Sequence, residues 1–244
     1  MGEPELREIA VWDAPVRVFH WLMVLCFFGA YVTAESERLR LVHNTLGYTM
    51  AGLVAFRLLW GFFGTRHARF AAFVRGPQAV RSYVGSMRRG APEHYTGHNP
   101  AGALAIVALL GLTALVALTG WGSDNDSAGR VGKLLERLHE PVAHLMLFIV
   151  LFHVAGVIVG SLLHRENLVV GMFSGRKLGT PQEAIHAAWR SIALLMLAAV
   201  LAFWWLQWQG RPVPQAAPSA QGVSQSPSQG HAAEQSGKRK RDHN

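Results

Sequence analysis

The amino-acid sequence predicts an all-α fold, a transmembrane four-helix bundle followed by a fifth transmembrane helix near the carboxyl terminus. Half of the 244 residues are hydrophobic and only 16% are charged, which is too apolar for an ordinary water-soluble domain. A helix needs about 20 predominantly apolar residues to cross a bilayer. Five stretches meet that length, approximately residues 16–34, 42–63, 100–121, 141–163 and 192–208.

Local residues support the starts of the first and third spans. Asp13 precedes the first span and Pro15 lies in its first turn, where the missing N–H of proline costs nothing. Asn99 and Pro100 form a similar start for the third span. The amino-terminal segment lacks the positive region of a cleavable signal, so we expect the first span to be retained. Cys26 is the only cysteine, which excludes a disulfide framework, a thiolate zinc site and an iron–sulfur cluster.

The charges of the loops predict the orientation. The loop between the second and third spans is strongly basic, whereas the loops after the first and third spans balance acidic and basic residues. Lysine and arginine accumulate on the cytoplasmic side. We therefore expect the basic loop and the amino terminus inside a bacterial cytoplasmic (inner) membrane and the balanced loops outside. The basic loop carries Arg66, Arg69, Arg75, Arg81, Arg88 and Arg89, with only Glu93 acidic.

The net charge of +8 is thus a topology signal, and membrane lipid rather than nucleic acid is the expected partner. The chain divides into a cytoplasmic segment at 1–14, a four-helix core at 15–178, a linker and fifth helix at 179–208, and a tail at 209–244. The tail is rich in Gln, Ser, Pro, Ala and Gly and cannot bury enough apolar surface to fold alone. We expect it to be disordered and periplasmic. Whether the protein forms a homodimer stays open.

Two histidines in the fourth span are the most informative feature. His139 and His153 are fourteen residues apart, which brings the second to within about 40° of the first and about 21 Å further along the axis. Chain direction places His43 beside His139 near the outer side, and His20 beside His153 toward the inner half. Imidazoles in hydrocarbon are costly and mark functional sites. The topology therefore predicts two pairs of histidines at matched depths.

Two imidazoles at each depth suit axial ligation of a haem iron. Zinc is the rival metal, but no carboxylate or thiol completes a tetrahedral set at either depth. Histidines that only hydrogen bond between helices are the structural alternative.

Arg57 lies within the second span, fourteen residues after His43 and on nearly the same helix face. An arginine at that depth should pair with an anion, and the propionate of the inner haem is the obvious one. Snorkelling to the inner interface is the alternative. His144 points away from the pairs. His164 falls at the inner interface, and His98 is assigned a structural role before the third span. Whether His98 or His164 contacts quinone or a propionate stays open.

Four segments around these residues occur in order over roughly residues 11–178. They are WDAPVRVFHW, VHNTLGYTMAGLVAFRLLWG, FVRGPQAVRSYVGSMRRGAPEHYTGHNPAGA and LHEPVAHLMLFIVLFHVAGVIVGSLLHRENLVVGMFSGRK. In these motifs the chain resembles the bacterial cytochrome b561 and nickel-hydrogenase cytochrome b family. The resemblance implies a four-helix core with two b-type haems, one near each membrane face, and quinone or quinol as redox partner. It also implies the axial ligands His20, His43, His139 and His153.

The predicted function is transmembrane electron transfer. No nucleophile with a base, no phosphate-cradling glycine loop and no paired carboxylate is found in the sequence. We expect a respiratory electron carrier that exchanges electrons with quinone and with a redox protein, either a c-type cytochrome or an iron–sulfur subunit. Whether quinone chemistry makes it an oxidoreductase stays open. The alternatives are a cytochrome b anchor of a hydrogenase or dehydrogenase, a transporter that uses histidines as proton relays, and a haem-free anchor.

Overall fold

The computed structural model describes residues 7–90, 93, 95–124 and 129–210. The predicted polar tail lies outside the described residues beyond Gly210, as do residues 125–128. The eight helices in the described part are Ala14–Thr33 (α1), Arg40–Phe63 (α2), Phe70–Phe73 (α3), Pro77–Arg88 (α4), Pro100–Asp124 (α5), Gly129–His164 (α6), Leu168–Ser174 (α7) and Arg190–Gln209 (α8). Short 3-10 turns occupy Glu37–Leu39 and Pro181–Glu183.

Five of these helices, α1, α2, α5, α6 and α8, are long and apolar enough to cross a membrane. This confirms the predicted all-α transmembrane fold. Successive spans run in opposite directions, so the bundle has two ends. We call the end with the start of α1 and residues 64–90 and 95–99 the amino-terminal face, and the end with residues 34–39 and the start of α6 the opposite face.

Asp13 fixes the start of α1 and ties it to α2. Its Oδ1 accepts a hydrogen bond from the Val16 N–H at 2.9 Å. Its Oδ2 accepts from Trp60 Nε1 at 3.0 Å and from the Thr65 hydroxyl at 2.7 Å. A buried carboxylate needs such partners, because each unmade hydrogen bond would cost about 1–3 kcal/mol. The same cap thus anchors the beginning of one span to the end of the next.

A two-stranded antiparallel sheet covers the amino-terminal face. Strand β1, Arg7–Ala10, pairs with strand β2, Arg176–Gly179, with Arg7 opposite Gly179. We did not predict these strands, because four residues are too few to show an alternating pattern. They join the amino-terminal segment to the chain that follows the fourth span.

Helix α6 begins twelve residues before the predicted start of the fourth span. The prediction placed Pro141 at the beginning of a helix, whereas Pro141 lies inside α6. An interior proline removes one backbone hydrogen bond, a defect that neighbouring groups often compensate in membrane helices. As a result, His139 lies ten residues inside one continuous helix that also carries His153.

The described spans pack around one apolar cluster. Its buried members are Leu22 and Cys26 of α1, Met50 and Leu53 of α2, Met146 of α6 and Met196 of α8. The fifth span is fastened to the bundle by a hydrogen bond of 2.8 Å from Trp204 Nε1 to the Thr49 hydroxyl. Large apolar side chains cover the outside, and Leu195 of α8 is 71% exposed. Such a surface suits lipid, and the chain is a multi-pass membrane protein.

The basic segment after α2 is folded rather than extended. Helix α4 packs against α5. It buries Tyr83, which is 1% exposed, and Ser86. Its arginines lie at the amino-terminal face of the bundle.

Candidate functional site

The opposite face brings His43 of α2 and His139 of α6 together. Their ring centroids are 6.1 Å apart and their planes are inclined at 80°. The two imidazoles therefore face each other from separate helices, at the place where chain direction predicted a pair.

Hydrogen bonds orient both of these rings. The Nδ1 atom of His43 lies 2.8 Å from the Ala30 carbonyl oxygen. Because a carbonyl can only accept, Nδ1 carries the proton and Nε2 keeps its lone pair. The Nδ1 atom of His139 lies 3.0 Å from the Thr119 hydroxyl oxygen. Both rings are thus held by Nδ1, which is the arrangement of histidines that bind a metal through Nε2.

A glycine makes room for the second ring. A Cβ atom at Gly120 of α5 would lie 2.9 Å from His139 Cε1 and 3.3 Å from its Nδ1. Any side chain at this position would push the imidazole away from Thr119. The close approach of α5 and α6 therefore depends on Gly120.

A polar cavity of about 260 Å³ opens beside this pair. His43 and His139 line it together with Glu37 and Arg40. The pair at the opposite face is therefore in contact with a polar, accessible space.

The second pair lies toward the amino-terminal face. His20 of α1 and His153 of α6 are near enough for their imidazoles to interact electrostatically. The Nδ1 atom of His20 is buried and has no hydrogen-bond partner among the described residues. The ring of Trp21 meets the His20 ring edge-on at 5.0 Å. A buried imidazole in the interior of a membrane bundle is costly, which favours a functional role for His20 over a packing role.

Arg57 is buried on the same side. It is 2% exposed, and its Nη1 atom has no hydrogen-bond partner in the described part of the chain. The guanidinium lies over the rings of Phe70 and Phe73, at 5.1 and 5.9 Å from their centroids. This burial argues against snorkelling to the interface. A buried guanidinium with a free N–H favours an anion.

His98 joins this region, although we expected it mainly to support the start of the third span. Its ring lies between Trp12 and Phe73, with centroid distances of 4.4 and 4.7 Å. Its Nδ1 atom is buried and has no hydrogen-bond partner in the described ranges. Burial, with the nearby charges of Arg57 and Lys177, lowers the pKa of His98 to about 3. The imidazole is therefore neutral at physiological pH.

A cavity of about 370 Å³ lies beside His98 at the amino-terminal face. Its lining includes Arg66, Phe73, Arg75, Tyr95, His98 and Glu183. Hydrogen bonds from the backbone N–H and the hydroxyl of Thr180 hold the pKa of Glu183 below its usual value, so this carboxylate is ionised. The cavity thus combines guanidinium groups, a carboxylate and aromatic rings with the imidazole of His98.

Three further histidines among the described residues contact other groups. His144 meets the ring of Tyr31 on α1 edge-on at 6.4 Å. His164 Nε2 lies 3.4 Å from the Tyr83 hydroxyl. His67 Nε2 donates a hydrogen bond of 2.7 Å to the backbone carbonyl of Glu183.

The donor set suits an iron porphyrin better than a chelated ion. Across the described ranges, no three His, Cys, Asp or Glu side chains converge to hold a metal ion. A structural zinc site needs four such ligands, whereas a haem iron with two axial imidazoles needs two. Open space also lies beside Gly47, on the same face of α2 as His43, where an added Cβ would meet nothing within 4 Å. The residues present therefore fit a haem.

Relatives of the chain are described as probable Ni/Fe-hydrogenase B-type cytochrome subunits. One from Rhizobium leguminosarum bv. viciae is 23% identical over 73% of this chain and 92% of its own length. One from Rhodobacter capsulatus is 23% identical over 70% and 81%, and one from Cupriavidus necator is 28% identical over 70% and 87%. No solved structure matches the chain.

A family model described as prokaryotic cytochrome b561 matches residues 11–175, which contain the first four spans and both histidine pairs. The match agrees with the arrangement of spans and imidazoles described above. The chain therefore belongs to the prokaryotic cytochrome b561 family and is a membrane electron carrier that binds b-type haem.

Proposed function

We propose that the protein holds two b-type haems and carries electrons between the two faces of a bacterial cytoplasmic membrane as part of a respiratory chain. The axial ligands are His43 and His139 for one haem and His20 and His153 for the other. The facing imidazoles of His43 and His139, each hydrogen bonded through Nδ1, are the observation that carries this proposal.

The chain supplies position and environment for this transfer. Bound haem supplies a one-electron Fe(III)/Fe(II) couple. Helix α6 fixes the distance between the two levels, since His139 and His153 are separated by about 21 Å along its axis. The apolar cluster around Met50 and Met146 keeps water out of the bundle. The buried guanidinium of Arg57 is available to a haem propionate at the second level.

The distribution of arginines supports one orientation of the protein in the membrane. The segment between α2 and α5 carries six arginines and lies at the amino-terminal face. Arginine and lysine are enriched on the cytoplasmic side. We therefore assign the amino-terminal face to the cytoplasm and the opposite face to the periplasm.

Quinone is the proposed small-molecule partner, bound in the cavity beside His98. A quinone headgroup is a flat ring with two carbonyl acceptors. The cavity offers the aromatic face of Phe73 and a neutral imidazole whose Nδ1 atom has no partner among the described residues. The electrostatic influence of His153 on His98 indicates that the cavity lies close to the second haem level. Quinone there would accept two electrons and two protons to become quinol.

A redox protein is the proposed partner at the opposite face. The cavity lined by His43, His139, Glu37 and Arg40 brings a polar surface directly to the first pair. An iron–sulfur protein or a c-type cytochrome could exchange electrons there. The names of the relatives favour a hydrogenase as the partner complex. Co-purification of an iron–sulfur subunit with the tagged protein would support this assignment over a free-standing carrier.

The proposed function predicts two haems per chain. We expect a pyridine haemochrome assay on the purified protein to give two b-type haems per polypeptide, and a reduced-minus-oxidised spectrum to show a b-type alpha band. A value of one haem would contradict the second site, and a colourless protein after expression with ample haem would contradict both.

The close packing of Gly120 against His139 predicts that a substitution at Gly120 weakens the binding of one haem only. In Gly120→Ala the new methyl group collides with the His139 ring, so we expect haem binding at the His43–His139 pair to weaken while the other haem is retained. Gly111→Ala is the matched control in the same helix, because its Cβ would meet nothing within 4 Å. Haem content per chain checks the prediction, and equal content in the two variants would contradict it.

A further inference from the structure

We propose that Thr119 is a positioning residue that lowers the reduction potential of the haem at the His43–His139 pair, which makes this haem the electron donor to the other. The inference rests on the proposed function, since it requires a haem at each pair. It concerns the hydrogen bonds behind the ligands rather than the ligands themselves.

The Thr119 side chain is placed to accept, not to donate, at His139. It is fully buried in α5, and its hydroxyl lies 2.9 Å from the Leu115 carbonyl and 3.0 Å from the Val116 carbonyl. Both carbonyls can only accept, so the hydroxyl proton points to them. The oxygen is then left to accept from the Nδ1–H of His139, 3.0 Å away, and it shares this N–H with the Val116 backbone carbonyl.

The partner ligand is supported in the same way. The Nδ1–H of His43 donates to the Ala30 carbonyl at 2.8 Å. An imidazole that donates its Nδ1 proton becomes a more basic ligand through Nε2. A more basic ligand stabilises ferric iron over ferrous iron and so lowers the reduction potential. The hydrogen bonds of His43 and His139 therefore both lower the reduction potential of this haem.

The second pair differs at the corresponding atom. The Nδ1 atom of His20 is buried without a hydrogen-bond partner in the described part of the chain, so this ligand lacks that support. Arg57 adds a buried positive charge on this side, which favours the ferrous form. Asp13 lies near enough to Arg57 to offset part of that charge. Hydrogen bonding at the first pair and the remaining Arg57 charge at the second therefore shift the two potentials in opposite directions.

The surroundings of the two pairs add to the expected difference in reduction potential. The first pair borders a polar cavity at the opposite face. Contact with a polar medium stabilises the more highly charged ferric site. Both effects give the His43–His139 haem the lower potential. One electron then passes from ferrous iron at this pair to ferric iron at His20–His153. The first is oxidised and the second reduced, and no bond or proton is exchanged.

Spectroelectrochemical titration of the purified holoprotein tests this inference. In the wild type we expect two midpoints, with the lower one missing from His43→Ala and the higher one missing from His20→Ala. In Thr119→Val we expect the lower midpoint to rise while the higher one stays unchanged. Thr119→Ser keeps the hydroxyl and should restore the wild-type value.

Thr113→Val is the matched control. Thr113 is equally buried in α5, but its hydroxyl contacts the Leu109 carbonyl and the Met146 sulfur rather than a histidine. We expect both midpoints of Thr113→Val to match the wild type. Two haems with the reverse order of potentials, or a lower midpoint unchanged in Thr119→Val, would overturn this inference alone. Fewer than two haems in the wild type would overturn the proposed function and the inference with it.

Discussion

Replacing His43 or His139 with alanine is expected to remove one of two haems, halving the haem content per chain and leaving the other haem reducible. The two variants should look alike, because each removes one side of the same pair, whose rings lie 6.1 Å apart. His20→Ala and His153→Ala should each remove the other haem. A pyridine haemochrome assay on the four purified variants measures the loss.

His144→Ala is the control for these four variants. His144 lies in the same membrane helix as His139 and His153, but its ring meets Tyr31 of α1 instead of a second histidine. We expect it to keep both haems. Full haem content in all four pair variants would reject the assigned ligands, and loss in His144→Ala would show that any disturbance of α6 releases haem.

Substituting His98 is expected to uncouple haem from quinone. In His98→Leu the cavity keeps an apolar group but loses the N–H donor, and a lost buried hydrogen bond of about 1–3 kcal/mol corresponds to a decrease of about 5- to 160-fold in rate. We expect reoxidation of the reduced protein by a soluble quinone to slow by this factor, with haem content unchanged. Stopped-flow absorbance of the alpha band follows the reaction.

Two further variants separate this role from packing. His98→Gln retains an N–H donor and should recover part of the rate. His186→Ala changes an exposed histidine that does not line the cavity, so its rate should equal that of the wild type. Because burial lowers the pKa of His98 to about 3, its effect should not vary between pH 5 and 8. A reoxidation rate in His98→Leu equal to that of the wild type would contradict quinone binding in this cavity.

Much of the fold was predictable because membrane spans are marked by length and apolarity alone. The five spans follow from that signal, and Asp13 marks the start of α1 as expected. The signal failed at α6, where Pro141 suggests a helix start but is accommodated inside the helix. It also failed at β1 and β2, because their pairing joins segments more than 160 residues apart and depends on the bundle that holds them together.

The histidine pairs were predictable for a different reason. Helical periodicity places His139 and His153 on one face, and alternating chain direction supplies a partner at each depth. The hydrogen-bond partners of the paired histidines were not predictable. Thr119 resembles Thr113 in sequence, since both are threonines in an apolar helix that bond to a preceding carbonyl. Only the packing of α5 on α6 decides which one reaches an imidazole. The enclosure of His98 by Trp12 and Phe73 likewise joins three distant segments.

Helix α6 contributes one member to each histidine pair, and this has a consequence for biogenesis. The first two spans emerge during translation with His20 and His43 but without their counterparts. Neither pair is complete until the chain has been made as far as His139, 96 residues after His43, and His153, 133 residues after His20. Cofactor loading must therefore await the fourth span. A chain truncated before α6 should be inserted in the membrane yet be unable to retain either prosthetic group.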